Sequence, residues 1–138
     1  MMNLARDWTL PPGRAACMAR NAVRIDLATV LAAMRDLQEA TKLIPHRVLY
    51  LDLYTRSDRN SVTLRWRDGR GRLVGNERWA TFAASLPVKL RRWYSEVDRQ
   101  AAWLNTQERI YRHAWNELTA LTQGTLHHAD TTVLELEP

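Results

Sequence analysis

Residues 46–79 read His46-Arg-Val-Leu-Tyr-Leu-Asp-Leu-Tyr-Thr-Arg56, then Ser57-Asp-Arg-Asn60, then Ser61-Val-Thr-Leu-Arg-Trp-Arg67, then Asp68-Gly-Arg-Gly-Arg72 and Leu73-Val-Gly-Asn-Glu-Arg-Trp79. The first and third runs alternate apolar and polar residues. Successive side chains of a strand point to opposite faces, so each run predicts a half-buried strand, near 47–55 and 61–67. Leu49, Leu51 and Leu53 then share the core face with Val62, Leu64 and Trp66. The opposite face carries Tyr50, Tyr54, Arg56, Thr63, Arg65 and Arg67. Ser57–Asn60 is rich in turn formers and closes a hairpin. Asp68-Gly69 is a two-residue turn signal, and a weaker third strand is expected over 72–78.

Helices flank this sheet. Before it, Val23, Leu27, Val30, Met34, Leu37, Thr41 and Ile44 recur at steps of four and three, a heptad seam of coiled-coil type. They predict a helix over about 16–44, ended by Pro45, which lacks an N–H and restricts the residue before it. After the sheet, Leu86, Leu90, Trp93, Val97, Ala101, Leu104, Glu108, Tyr111, Trp115 and Leu118 predict a second helix over about 87–123. Pro87 suits its first turn and Gly124 its end. At 1.5 Å per residue such a helix is roughly 55 Å long, more than one small core needs. Trp79, Phe82 and Leu86 suggest a short helical or irregular connection. The expected fold is therefore α+β: two long antiparallel helices joined by a small antiparallel β-sheet at about 47–78. An arm (1–14) precedes this single 15–123 domain, and an acidic tail (124–138) with weak strand character at Thr131–Leu136 follows it.

The chain has 138 residues, enough to bury a core without disulfides, and Cys17 is its lone cysteine. No apolar run approaches the roughly 18–20 residues of a membrane span, and no basic-then-apolar leader is evident at the start. A cytoplasmic protein without membrane contact is expected. The net charge is +5 and unevenly spread. Residues 45–84 hold eight Arg against four acids, whereas 124–138 carry only Asp130, Glu135 and Glu137. Of 20 basic residues, all but Lys42 and Lys89 are Arg. Guanidinium forks match phosphates and stack on bases, although a GC-rich genome produces the same bias.

Tyr50, Tyr54, Arg56, Arg65, Arg67, Arg70 and Arg72 form the candidate nucleic-acid surface. Tyrosine rings stack on bases, and arginines pair with phosphates or guanine edges. The bland alternative is a polar sheet face, or tyrosines covered by a helix. The loop Asp68–Arg72 has the glycines to cradle a phosphate, but a plain hairpin turn is the simpler reading. Asp52 and Glu77 lie among arginines, where ion pairing is expected. Trp103 lies off the helical seam, close to Ile110 in helical projection, and the two suggest an oligomer or partner contact. His127, His128 and Asp130 do not make a metal site with the needed second shell, and His46, His113 and Cys17 have no recognisable partners. No nucleophile–base order, carboxylate pair or nucleotide fingerprint stands out, so no enzyme activity, metal or cofactor is expected.

The runs Arg47–Arg56 and Leu64–Arg72 and the Trp-rich helix Trp93–Trp115 resemble small accessory proteins carried by bacterial plasmids and integrative conjugative elements. The resemblance spans roughly residues 20–120 and implies a mobile-element context, with no catalytic residues. In outline alone, a sheet with a tight turn followed by a helix is similar to the arm-binding module of tyrosine recombinases. The expected function is DNA binding in maintenance, transfer or regulation of a mobile element, with a homodimer formed through the helices. The alternative is a protein-binding adaptor or inhibitor acting through those helices.

Overall fold

The structure, a computed structural model, describes the backbone of residues 12–44, 48–58 and 60–136 and the side chains of 13–44, 48–58 and 60–124. The element order is α1 (Pro12–Lys42), β1 (Leu49–Arg56), β2 (Ser61–Asp68), α2 (Asn76–Ala84) and α3 (Val88–Leu136). The fold is α+β, with two long helices and a two-stranded antiparallel sheet between them in the chain. Contacts divide the chain into two compact units, residues 28–109 and residues 1–27 with 110–138.

In the 28–109 unit, Leu51 faces Trp66, Leu53 faces Leu64 and Thr55 faces Val62 across the hairpin. This register puts Leu51, Leu53, Val62, Leu64 and Trp66 on one face, as the alternation predicts. Leu49, Leu51, Leu64 and Trp66 are buried, and Leu53 and Val62 half-buried. Val30 and Met34 of α1, Ala83 of α2, and Tyr94, Val97 and Ala101 of α3 are buried with them. Trp66 lies 5.7 Å from Tyr94 and 6.3 Å from Trp79, centroid to centroid. Phe82 and Trp93 meet the Tyr94 ring edge-on at 5.1 and 5.0 Å. Such aromatic contacts add to the stabilisation from area burial. Tyr94, rather than the half-buried Trp93, therefore continues the α3 seam. The steps Tyr94, Val97, Ala101, Leu104, Glu108 alternate three and four, a regular heptad, whereas counting from Trp93 gives two successive steps of four.

A two-stranded sheet has two open edges, and helix side chains bond to both. On the β2 edge the Leu64 N–H donates to Asn105 Oδ1 (2.8 Å), and Asn105 Nδ2 donates back to the Leu64 carbonyl (3.0 Å). One turn further along α3, Glu108 Oε1 accepts the Val62 N–H at 3.2 Å. Val74 N–H donates to the Trp66 carbonyl at 3.0 Å, and Trp66 Nε1 donates to Asp98 at 2.8 Å. On the β1 edge, Thr41 Oγ1 accepts the Leu51 N–H at 3.0 Å and donates to the Gln38 carbonyl at 2.7 Å. The Tyr94 hydroxyl donates to the Leu49 carbonyl at 3.4 Å, and burial pushes its pKa above the ordinary 10.0. Glu108, a charged residue within the apolar seam, is fully buried, and its carboxylate gives the sheet edge an acceptor there.

Four local expectations are corrected. The third strand is a single bridge between Arg67 and Leu73, because Gly75 ends the run and α2 begins at Asn76. The turn after β2 has three residues between Asp68 and Arg72, closed by Asp68 N–H to the Arg72 carbonyl (2.8 Å) and Gly71 N–H to the Asp68 carbonyl (2.9 Å). Its left-handed residue is Gly71 (φ 78°), not Gly69, the arrangement of a turn with a terminal bulge. Helix α1 begins at Pro12, within the expected arm, since proline suits a first turn; residues 1–11 lie outside the described residues. Helix α3 passes Gly124 and the Thr131–Leu136 stretch, since one glycine costs a helix only about 1 kcal/mol.

In the unit of 1–27 with 110–138, the Arg20 guanidinium lies 5.5 Å from the Trp115 ring centroid, a cation–π contact. The buried Thr122 hydroxyl donates to the Leu118 carbonyl at 2.8 Å.

Replacing Asn105 with Ala strands both the N–H and the C=O of Leu64. An unmade hydrogen bond at a buried group costs about 1–3 kcal/mol, so a loss of about 2–4 kcal/mol is expected in urea unfolding. An unchanged midpoint and slope would show that water satisfies this edge equally well.

Candidate nucleic-acid interface

The core-facing leucines and Trp66 force their neighbours outward. Tyr50 faces Arg67, Asp52 faces Arg65, Tyr54 faces Thr63 and Arg56 faces Ser61. All the strand-borne candidates therefore share one side of the hairpin. Tyr54 and Arg56 are exposed; Tyr50, Arg65 and Arg67 are half-buried.

The arginines on this face are not equivalent. Arg67 Nε donates to Asp52 Oδ2 at 2.7 Å, and its Nη1 to the Gly71 carbonyl at 2.7 Å. With only 23% of its side chain exposed, Arg67 holds the hairpin to the following loop, and its charge is largely cancelled by Asp52. Arg65 leans along the same diagonal, one pair further on. Its guanidinium lies 3.6 Å from the Tyr54 ring centroid, and its buried Nε has no hydrogen-bond partner among the described residues. Flat groups at that distance are stacked. Arg56 pairs with Asp58 at 3.4 Å, both exposed, an interaction worth only about 0–1 kcal/mol.

The glycine-containing loop is organised by Asp68. Its Oδ1 accepts the N–H of Arg70 (2.9 Å) and of Arg72 (3.0 Å), and its Oδ2 lies 3.2 Å from Arg78 and 3.9 Å from Arg72. Amides that would cradle a phosphate are thus already occupied by a carboxylate of the chain itself. This loop is a hairpin turn rather than an anion nest. The Arg70 side chain projects from it, exposed. The Arg72 N–H bond, supported by Arg70, Arg78 and the Arg72 charge, holds the Asp68 carboxyl below the usual carboxylate range.

Among the helical candidates, Trp103 is 61% exposed and Ile110 59% exposed. In the 28–109 unit, Trp103 borders an open cleft with Ala33, Leu37, Ala40 and Leu104. The expected ion pairing of Asp52 is present. Among the described residues no group of three His, Cys, Asp or Glu side chains is placed to hold a metal ion. The side chains of His46, His127, His128 and Asp130 lie outside the described residues. No helix among the described residues is long and apolar enough to cross a membrane.

Sequence reasoning gave Asp52 an ion pair but not its bracing of Arg67 against the following loop, and it missed the organising role of Asp68. Their signal was position. Asp52 falls on the outward face, opposite Arg65 and diagonal to Arg67, and Asp68 opens a glycine-containing turn, where Asp commonly accepts nearby backbone N–H groups. Comparison with protein families, curated proteins and solved structures finds no match to this chain.

Asp68 should titrate below its ordinary 3.8 when followed by carboxyl-carbon NMR. Because the folded value is depressed, its contribution to loop closure is present above the unfolded carboxyl's range and lost as pH falls through the folded midpoint. Arg78→Ala should raise that midpoint. A midpoint at or above 3.8 in the parent protein contradicts the assigned bonds.

Proposed function

We propose that this chain is a DNA-binding accessory protein of a bacterial mobile element, acting in the cytoplasm as a homodimer joined through its helices and contacting DNA through its hairpin face. The observation that supports DNA binding most is the Arg65 guanidinium stacked on the exposed Tyr54 ring, a cationic planar surface suited to bases and phosphates. Arg70 adds an exposed cation, and the hairpin region has more arginines than acids. A basic surface also steers a polyanion toward itself at long range. The mobile-element context rests on the resemblance of the hairpin runs and the Trp-rich helix. Arg67 acts here as a structural support of the face, and Arg72 is partly neutralised by Asp68.

A second reading, a protein-binding adaptor or inhibitor, is favoured by the exposure of Trp103 beside its cleft. Large aromatics in such positions commonly anchor protein interfaces. It predicts loss of a partner, or of the dimer, on Trp103→Ala.

The two readings separate in a salt titration. Neutralisation of three phosphates by the charges of Arg56, Arg65 and Arg70 should give a log–log slope of about −2.7 on duplex DNA, or about −2 on a single strand. Arg65→Ala with Arg70→Ala should flatten it by about 1.5 to 2 units, with the fold retained because neither guanidinium bonds the main chain. No binding of either nucleic acid at about 50 mM salt by the folded protein would overturn the DNA reading and favour the adaptor.

A further inference from the structure

We infer that the nucleic acid this face takes is single-stranded, with an unpaired base stacking on the Arg65–Tyr54 pair; this rests on the nucleic-acid reading above and specifies its substrate. Three observations carry it. The first is the platform. A guanidinium 3.6 Å from the Tyr54 ring centroid makes a two-layer flat surface, and Tyr54 remains 38% exposed. Arginine planes and aromatic rings are the surfaces on which splayed-out bases stack, whereas a duplex keeps its base faces covered by neighbouring pairs.

The second observation is the cover on the hairpin edges. A bare two-stranded ribbon can enter a major groove about 12 Å wide and 8.5 Å deep. Here Asn105 and Glu108 of α3 occupy the outer edge of β2, and Thr41 of α1 occupies that of β1. Helix side chains thus take up the middle of each margin, at Leu51 on β1 and at Val62 and Leu64 on β2, and the outward face is the broad surface left open. Such a face suits a strand laid over it better than a groove it must penetrate.

The third observation is charge. Tracking duplex phosphates calls for a row of free cations. On this face Asp52 sits between Tyr50 and Tyr54 and holds Arg67, and Asp68 holds Arg72 and Arg78. A carboxylate in the middle of the face opposes a phosphate there, but it can accept from a base amino group such as cytosine N4. A base over Arg65–Tyr54, with its edge toward Asp52 and its backbone toward Arg56 or Arg70, meets each group with its complement.

Fluorescence anisotropy of the full chain tests this. The probes are a labelled oligonucleotide of about 16 nucleotides, its duplex, and a single strand of equal length with abasic sites at its centre. The abasic strand keeps every phosphate and lacks the stacking bases. The single strand should bind at least about ten-fold tighter than the duplex, and the abasic strand about ten-fold weaker than its parent. Arg65→Lys, which keeps the charge and removes the plane, should weaken the parent strand about as much as the abasic change does, and should weaken the abasic strand little. Duplex binding equal to or tighter than the single strand overturns this inference while leaving the nucleic-acid reading intact. Equal binding of abasic and parent strands, or parent-strand binding unaltered in a folded Arg65→Lys protein, also overturns it. Binding to none of the probes removes both.

Discussion

The hairpin depends on the closure of its own edges. Two strands leave half of their ladder groups without a strand partner, and an isolated hairpin is marginal in water at best. Asn105 supplies what a third strand would have supplied, an acceptor and a donor spaced to meet one residue's N–H and C=O. Glu108 repeats the acceptor one helical turn on, and Thr41 does the same for β1 from the other long helix. These bonds fix which face of the hairpin looks inward, because each pairs a particular strand residue with a particular helix residue. Exposed sheet edges also invite pairing with other chains, and the same side chains block that route.

The outward face follows from that docking. With Leu49, Leu51, Leu64 and Trp66 held inward, period 2 leaves Tyr50, Asp52, Tyr54, Arg65 and Arg67 no other direction. Their chemistry is then divided by neighbours. Asp52 converts Arg67 from a free cation into a brace that reaches the Gly71 carbonyl. Arg65, which sits directly opposite Asp52, stacks instead on the tyrosine diagonal to it. Two arginines two residues apart thus have different roles, and counting guanidinium groups overstates the charge available to a ligand. The loop beyond β2 shows the same effect, since Asp68 uses the amides and part of the charge that a phosphate would need.

Much of the fold was legible in the chain because local physics dictates it. The alternation of Leu49–Leu53 and Val62–Trp66 set the strands, the pairing and the buried face. The heptad spacing from Val23 to Ile44 set the first helix, with Leu27, Val30, Met34 and Thr41 buried as the seam requires. Errors arose where a local signal competes with a tertiary one. Gly124 reads as a stop, yet the helix bears one glycine at small cost. Trp93 reads as the seam residue because of its size, yet the packed position is Tyr94, whose ring meets Trp66, Phe82 and Trp93 together.

The sequence by itself determined the two long helices, the two strands and the membership of the hairpin's two faces, since each follows from periodicity along neighbouring residues. It also placed every candidate strand residue on the outward side. Only the tertiary structure decided which of these groups are free to act. Pairing of Arg67 with Asp52, stacking of Arg65 on Tyr54, and the use of Asn105 and Glu108 as a substitute strand join residues 11 to 46 positions apart in the chain. Such contacts depend on the diagonal geometry of the sheet and on where a helix lies along its edge, and no local pattern of residue types encodes either.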